Sequence, residues 1–252
     1  MDLARFIMKD KSLNPIELTE ITLCKGFVGK LQKETFYRLY EQCYIQVKDV
    51  KIYPIEVEVY YFEKTVYEDN SVHQNKLQQN NQNHFYVHRF GQEKEDKFKG
   101  RAGIDFVWSS KKEVYYTWLL RSVVLEKDDK SDAFFGPMNS LSAIKEWTRL
   151  SNEELETEKL SVCYKSDNNC TYPIFTSKRI GLTDKVFEEY QNVPLRFVVA
   201  TTNYVKYKYK MKSHMVIDFL QKAYKANALT KESCLEQCDK FLNYRPREIK
   251  EM

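Results

Sequence analysis

A run of ten residues, 53–62, constrains the fold of this chain more than any other stretch. Aliphatic side chains alternate there with carboxylate and phenol side chains, in the order Ile55, Glu56, Val57, Glu58, Val59 and Tyr60. Because successive side chains of a strand point to opposite faces, this alternation predicts a β-strand with one apolar and one polar face. Polar groups in mid-strand are either solvated or line a functional site, and the sequence leaves both interpretations open.

Length and composition predict one globular core that is rich in β-structure and aromatic rings. The chain has 252 residues, of which 42% are hydrophobic, 14% aromatic and 30% charged. These values are typical of a folded chain and exclude a disordered one. The 40 basic and 36 acidic side chains leave a formal net charge of +4, which permits binding to a polyanion without requiring it. Any electrostatic recognition must therefore be local.

Apolar runs and cysteine spacing bear on the compartment and on metal binding. No stretch of about eighteen apolar residues is present, so we expect no membrane span. The first ten residues lack the apolar segment of a secretory signal, which predicts an intracellular protein. Six scattered cysteines in a chain with a full core indicate free thiols. Cys234 and Cys238 lie one helical turn apart, but no second pair completes a zinc site, and we expect no metal.

Apolar periodicity and turn residues predict further strands along the chain. The segments that favour strands are 36–50, 85–91, 103–108, 114–125, 174–183 and 194–200. A turn at 109–112 joins two of these strands into a hairpin or meander. Arg121 interrupts the apolar run of the strand at 114–125. A guanidinium that is buried alone is costly, so we expect Arg121 to be paired or to lie at a site.

Other segments favour helices or loops. They are 151–159, 215–224 and 231–242 for helices, 74–83 for a polar loop, and 134–144 for a loop that leads into a short helix. The first helix begins with Ser151, and Glu154 follows three residues later, which is the pattern of a capping box. The polar loop is rich in Asn and Gln and has no apolar rhythm.

A basic stripe follows the last predicted strand. Four lysines alternate with tyrosines, so that one face of a strand would carry Lys206, Lys208, Lys210 and Lys212. Ammonium groups in such a row could follow the phosphate backbone of a nucleic acid. The stripe is equally typical of an edge strand that lysines protect from pairing with another chain.

Seven short segments, taken together and in order, resemble the motifs of one known family. They are 23–31, 55–60, 85–91, 119–122, 136–137, 179–182 and 194–197. Their order is similar to that of the alkyladenine (3-methyladenine, methylpurine) DNA glycosylase family. Residues 55–60, Ile-Glu-Val-Glu-Val-Tyr, resemble the Val-Glu-Thr-Glu-Ala-Tyr strand that carries the catalytic glutamate of that family. Residues 179–182, Arg-Ile-Gly-Leu, resemble its Arg-Ile-Gly-Ile motif.

The resemblance implies catalytic roles for two residues. Glu58 matches the glutamate that removes a proton from the water that attacks the anomeric carbon, a task for a positioned and partly desolvated carboxylate. Arg121 matches the arginine that helps to orient this water. Without the resemblance, Glu58 and Arg121 could equally form a structural ion pair inside a β-rich core.

The resemblance also implies a pocket for a base that has been turned out of the double helix. The side chains that would hold this base between flat rings are Tyr60, His73 and His88. Phe90 matches the aromatic wedge that fills the gap left in the duplex. Taken alone, these rings could simply be core or surface residues.

Three departures from the family pattern bear on these expectations. His88 stands where the family usually has Tyr, which would make the ring stack titratable. Asp105 stands where many members have an Asn that lines the pocket, and its carboxylate needs a hydrogen-bond donor or a protonated neighbour. The Asn- and Gln-rich segment 74–83 replaces a more basic segment, which weakens the expected grip on DNA.

We therefore expect an α+β fold, a single domain with a curved antiparallel β-sheet surrounded by short helices. Residues 1–200 would form the glycosylase-like domain, and 201–252 a basic strand and a helical extension that could bind a protein partner. The expected function is excision of damaged or modified purines from double-stranded DNA, without cofactor, by a monomer. We expect it in the nucleus if the source is a eukaryote, and otherwise in the cytoplasm or nucleoid. A catalytically inactive nucleic-acid-binding or scaffold protein is the alternative, and an enzyme of free nucleosides is a third.

Overall fold

Ten strands in the described part of the chain form one curled, half-barrel antiparallel sheet, with short helices around it in an α+β arrangement. The structure is a computed structural model that describes residues 43–80, 82–108, 112–164, 174–199, 216–217, 220–221, 224–225 and 229–252. The strands are β1 Cys43–Val47, β2 Val50–Glu63, β3 Tyr67–Glu68, β4 Phe85–Val87, β5 Ile104–Val107, β6 Val114–Lys127, β7 Lys130–Phe135, β8 Ser161–Tyr164, β9 Ile174–Ser177 and β10 Arg196–Val199. The helices are α1 Lys76–Asn80, α2 Pro137–Thr148, α3 Asn152–Thr157, α4 Glu188–Gln191, α5 Lys231–Leu242 and α6 Arg247–Lys250.

The alternating run forms the middle of β2, which lies at the centre of the sheet between β6 and β10. Of the two interpretations that the sequence left open for its polar face, the solvated one is wrong, because Glu56 and Glu58 are 3% and 0% exposed. Val57 and Val59 on the opposite face are also fully buried. Both faces of β2 are therefore covered. Two buried carboxylates need partners, since an uncompensated charge is costly in a protein interior.

An irregularity in the pairing of β2 with β6 lies beside these carboxylates. Pro54 pairs with Val123 and Glu56 with Ser122, but the next pair is Val57 with Leu120. Arg121 is therefore skipped in the register, as in a β-bulge, which re-aims the side chain of the extra residue. The guanidinium of Arg121 contacts both Glu56 and Glu58, so the prediction that it is paired is confirmed.

Most predicted strands are confirmed, although several are shorter than expected. β5 and β6 are antiparallel neighbours, as the meander prediction required. The strand predicted at 174–183 ends at Ser177, and the chain then turns through Gly181 with φ +79. The loop predicted at the start of 134–144 is partly wrong, because Phe134 and Phe135 extend β7 along the edge of β6. Gly136, with φ +94, then allows the chain to enter α2.

The prediction of a loop over residues 74–83 is also wrong, because α1 lies within it. Asn75 precedes this helix, and its side-chain oxygen accepts a hydrogen bond from the Leu77 amide at 3.0 Å. Its side-chain amide donates to the carbonyl groups of Gly91 and Glu93. Asparagine is a favourable residue at a helix start. This segment has no apolar periodicity, and its contacts with the distant residues Gly91 and Glu93 stabilise the helix instead.

The carboxy-terminal part of the chain is only partly described. Helix α5 confirms the helix predicted at 231–242, and it buries Cys234 and Cys238. The described cysteines are free thiols: Cys43, Cys163, Cys234 and Cys238. The lysine stripe at 206–212 and half of the helix predicted at 215–224 lie outside the described residues. Among the described helices, none has the length and apolar character that crossing a bilayer requires.

The predicted capping box of α3 is confirmed and can be tested for its contribution to stability. The Ser151 hydroxyl accepts from the Glu154 amide, and the Glu154 carboxylate accepts from the Ser151 amide at 2.7 Å. We predict that Ser151→Ala lowers the free energy of unfolding by about 1 kcal/mol, because one amide of the first turn loses its acceptor. Urea unfolding followed by circular dichroism measures this change. Ser161→Ala, at an exposed strand position, is the control, and equal stability of the two variants would contradict the prediction.

Candidate functional site

The carboxylate of Glu58 is fully buried. Its Oε1 atom accepts from Nη1 of Arg121 at 3.1 Å and from the backbone amide of Ile180 at 2.8 Å. Its Oε2 atom accepts from the Tyr60 hydroxyl at 3.0 Å. A carboxylate has about four acceptor positions, and these contacts use three of them. Among the described residues, no fourth donor reaches this carboxylate, which is fully buried.

Glu56 is the second buried carboxylate, and it holds two arginines in place. Its Oε1 atom accepts from Nε of Arg121 at 3.0 Å and from Nε and Nη2 of Arg196 at 2.8 and 2.5 Å. Its Oε2 atom accepts from the Ser122 hydroxyl. Burial opposes the charge of Arg121, but Glu58 and Glu56 outweigh burial and raise the pKa of its guanidinium. Arg121 therefore stays charged and bridges the two glutamates.

Four of the residues singled out in the sequence line one cleft of about 520 Å³, which is within the size range of small-molecule sites. They are Tyr60, His73, His88 and Asp105. The centroids of the two imidazole rings are 6.4 Å apart, with 48° between the ring planes. Glu58 does not line the cleft itself. It lies behind Tyr60, whose hydroxyl connects the cleft wall to the buried carboxylate.

His73 is held in the cleft wall by a contact with Tyr86. Its Nδ1 atom contacts the hydroxyl of Tyr86, and the Arg89 amide donates to the same hydroxyl. The tautomer of His73 decides which of the two groups donates in their contact. Burial, together with Lys99 and His88, lowers the pKa of His73 to about 4. The ring is neutral at pH 7.

Asp105 receives the donors that its burial requires, and all of them are side chains of this protein. Its Oδ1 atom lies 2.7 Å from Nε2 of His88. Its Oδ2 atom accepts from Gln78 at 3.1 Å and from Thr117 at 2.9 Å. The expectation that this carboxylate needs a hydrogen-bond donor is therefore confirmed. Asp105 acts on the cleft chiefly through the position of His88.

Two residues that support the site had no role in the sequence-based predictions. Arg179 lies below Tyr60, with its guanidinium carbon 4.8 Å from the ring centroid. Its Nη2 atom pairs with Asp69 at 2.7 Å, and both side chains are fully buried. Arg179 belongs to the recognised Arg-Ile-Gly-Leu motif, which is the signal that could have found it. Asp69 stands in no such motif.

The hydroxyl of Tyr60 stays protonated beside the buried carboxylate. Burial and then Glu58 raise the pKa of Tyr60 well above its ordinary value.

The remaining predicted residues lie outside the cleft or outside the described residues. Phe90 is not part of the cleft wall; it lies in the segment between β4 and β5 and is 72% exposed. The stripe of lysines at 206, 208, 210 and 212 falls outside the described residues. Within the part of the chain that the structure describes, no group of three His, Cys, Asp or Glu side chains is arranged to hold a metal ion.

Comparison with known proteins adds no relative to this picture. A scan against models of protein families gives no match, and a search of the curated proteins gives no significant match. The family resemblance therefore depends on the short motifs of the sequence. The functional interpretation depends on those motifs and on the contacts of the side chains.

Loss of Glu56 should be costly, because two buried guanidinium groups depend on it. We predict that Glu56→Gln lowers the free energy of unfolding by about 3–5 kcal/mol, the typical effect of removing one partner of a buried ion pair. Equilibrium urea unfolding gives the value. Glu126→Gln is the matched control, because it breaks a partly exposed pair with Lys51 and should cost about 0–1 kcal/mol. A loss of unfolding free energy smaller than that of the control would show that Glu56 is not needed for stability.

The lowered pKa of His73 predicts a pH effect on stability. The folded protein holds His73 neutral down to a pKa of about 4, whereas an unfolded histidine takes up its proton near pH 6.5. The contribution of His73 to the free energy of unfolding is constant above about pH 6.5. The free energy of unfolding falls as pH decreases towards 4, because the unfolded state then binds more protons than the folded state. NMR titration of the ring should give the low pKa, and Lys99→Gln should raise it. A His73 pKa at or above its ordinary value would contradict the assignment.

Proposed function

We propose that this protein hydrolyses the N-glycosidic bond of damaged or modified purines in DNA, as a divergent relative of the alkyladenine DNA glycosylases. One observation carries the proposal. A buried glutamate, held by three donors among the described residues, is joined by the Tyr60 hydroxyl to a cleft that is lined by three flat side chains. The family resemblance implies the same two roles for the same residues: Glu58 as the proton acceptor, and the rings of Tyr60, His73 and His88 as the pocket for the base.

The cleft provides a place for a base that has left the double helix. An enzyme that acts on a base within a duplex must turn that base out of the stack. Arg179 occupies one side of the Tyr60 ring, so a base would stack against the other side. His73 and His88 would supply further flat surfaces for the extruded base. The neutral state of His73 at pH 7 means that its ring does not repel a cationic base. Lys99 and Lys185 also line the cleft, and the carboxylate of Asp105 opposes their charge there.

The reaction requires one water molecule and one proton acceptor. Glu58 takes a proton from the water as the water oxygen forms a bond to the anomeric carbon, and the glycosidic bond breaks with its electron pair leaving on the base. Arg121 and the Ile180 amide hold Glu58 in a single orientation, which is what a general base needs. Because the neutral ring of His73 is a poor acid at pH 7, the preferred leaving group is a base that is already cationic, such as a methylated purine.

The exposed segment after β4 would make the contact with the duplex. Phe90 is a large apolar side chain that is 72% exposed, and such residues are used as wedges between base pairs. The segment that follows it has four basic side chains, at positions 94, 97, 99 and 101, and three acidic ones, at 93, 95 and 96. These cations would neutralise backbone phosphates and make binding depend on salt. The lysines at 206, 208, 210 and 212 would extend this surface.

The alternative is a catalytically inactive protein that binds nucleic acid, and one observation favours it. Glu58 has no solvent exposure and three partners, which also describes a structural ion pair. In that case the carboxylate would stabilise the sheet and would never meet water. The two functions differ in whether the base is released.

The charge of Glu58 is the decisive variable for catalysis. We predict that Glu58→Gln lowers the rate of base release by about 10²–10⁴-fold, because an amide cannot accept the proton of water. The assay incubates duplexes that contain a methylated purine, ethenoadenine or hypoxanthine and measures the released base. Binding to these duplexes should be retained, and Glu126→Gln should behave as the wild type.

Two other outcomes have definite meanings. Release by the Glu58→Gln variant at the wild-type rate would remove Glu58 from the mechanism. Binding of modified duplexes without any release by the wild type would support the catalytically inactive alternative.

A further inference from the structure

His88 differs from His73, the other imidazole of the cleft wall, because it is paired with a buried carboxylate. Its Nε2 atom lies 2.7 Å from Oδ1 of Asp105. The side chain of His88 is 24% exposed, whereas that of Asp105 is 2% exposed. The pair therefore has its carboxylate inside the protein and its imidazole ring in the cleft wall, where a bound molecule can reach the ring.

The carboxylate of Asp105 is held in one orientation by side chains from two other elements. Gln78 of α1 donates to its Oδ2 atom at 3.1 Å, and Thr117 of β6 donates to the same atom at 2.9 Å. These donors leave Oδ1 for the contact with His88. A buried and oriented carboxylate beside a histidine fixes the position of the ring and stabilises the imidazolium that forms when the ring takes up a proton.

Backbone contacts fix the position of His88 as well. The His88 amide donates to the Gly103 carbonyl at 3.1 Å, and the His88 carbonyl accepts from the Lys99 amide at 2.9 Å. A β-carbon at position 103 would lie 3.2 Å from Cε1 of the His88 ring. Because Gly103 has no β-carbon, the ring can pack closely against the backbone just before β5.

The second ring nitrogen of His88 is left for a ligand. Within the part of the chain that the structure describes, Nδ1 of His88 has no hydrogen-bond partner and is not buried away from solvent. An imidazolium donates from both of its nitrogens. Since Nε2 is directed to Asp105, Nδ1 is the donor that His88 offers to a molecule in the cleft.

We propose that His88 is a catalytic residue that protonates the leaving base and that Asp105 positions it, an inference that rests on the proposed function. A neutral purine that leaves without a proton carries a negative charge, which makes it a poor leaving group. A cationic purine leaves as a neutral base and needs no acid. The acid therefore extends the substrates from cationic purines to neutral ones, such as hypoxanthine and ethenoadenine.

His73 does not meet the requirements for this role. Burial, together with Lys99 and His88, lowers the pKa of His73 to about 4, so this ring carries no proton to give at pH 7. Its Nδ1 atom contacts the Tyr86 hydroxyl, and no carboxylate among the described residues is hydrogen-bonded to the ring. Of the two imidazoles, only His88 has a bonded partner that stabilises the charged form.

The proposed step needs no reactant other than water. A ring nitrogen of the purine takes the proton from Nδ1 of His88 as the glycosidic bond breaks and its electron pair moves to the base. The water oxygen forms the new bond to the anomeric carbon, and one water proton goes to Glu58. The base leaves as a neutral molecule. Solvent then returns a proton to His88 and removes one from Glu58.

The test compares the release of a neutral base and of a cationic base by the full chain. Duplexes carry either hypoxanthine or 7-methylguanine, and single-turnover rates are measured at about pH 6, on the acidic side of the ordinary histidine pKa. The deciding quantity is the ratio of the hypoxanthine rate to the 7-methylguanine rate. Folding, DNA binding and stacking contribute to both rates, whereas only the neutral base needs the proton.

We expect His88→Gln to lower this ratio by about 10²-fold or more, which is the typical size of general acid catalysis. Glutamine keeps a donor for Asp105 but cannot give up a proton. His88→Tyr keeps a flat ring that is a poor acid at this pH, and it should lower the ratio in the same way. His84→Gln is the matched control, because His84 is a partly buried histidine outside the cleft, and it should keep the wild-type ratio.

Asp105→Asn tests the positioning role. Asparagine has the size of aspartate without its charge, so the imidazolium loses a strong hydrogen bond. We expect the ratio to fall by about tenfold or more, because hydrogen bonds between charged groups are strong. A purely structural role would lower both rates and leave the ratio unchanged. Asp132→Asn, at an exposed position of β7, is the control and should behave as the wild type.

The outcomes separate this inference from the proposed function. Release of 7-methylguanine with an unchanged ratio in the His88 variants, or with no release of hypoxanthine by the wild type, overturns the acid and leaves the proposed function standing. A wild type that releases neither base overturns both. Circular dichroism checks the folding of each variant, and the ratio is taken from whichever His88 variant folds. A ratio that falls in that variant but not in Asp105→Asn supports the acid and removes the positioning role of Asp105.

Discussion

The fold depends on the need to compensate charges that lie inside the sheet. Glu56, Glu58 and Asp69 are buried, and each is paired with a guanidinium group of Arg121, Arg179 or Arg196. A buried charge without a partner is costly. Removing one member of a pair therefore leaves the other charge buried and uncompensated, which destabilises the fold. Strands β2, β6 and β10 and the segment around Arg179 must therefore come together in one arrangement. The bulge at Arg121 is the local adjustment that lets one guanidinium serve both glutamates.

The same network gives the cleft a rigid wall. Arg179 supports the ring of Tyr60 from below, and the next residue, Ile180, fixes Glu58 through its amide. A rigid set of contacting side chains, held in turn by further hydrogen bonds, is the arrangement that catalytic sites require. It is also how a stable sheet buries polar groups, which is why the inactive alternative shares these contacts. Only the reactivity of the Glu58 carboxylate separates the two functions.

The wall of the cleft combines flat rings with both signs of charge. It contains the neutral His73, the pair of His88 with Asp105, and two lysines, Lys99 and Lys185. The carboxylate of Asp105 is compensated by protein donors. In the proposed function, a flat base would meet the rings of this wall, and the two lysines would add positive charge beside it.

Sequence alone determined the features that depend on residues close together in the chain. The alternation around Glu58 predicted its strand, and the spacing of Ser151 and Glu154 predicted a capping box, because strand faces and helix caps are set within a few residues. The resemblance of the short motifs also grouped the residues of the cleft wall. Tertiary structure alone decided which charges pair and where register shifts occur. Glu56 and Arg196 lie 140 positions apart, and sheet pairing between distant segments, rather than any local pattern, brings them into contact.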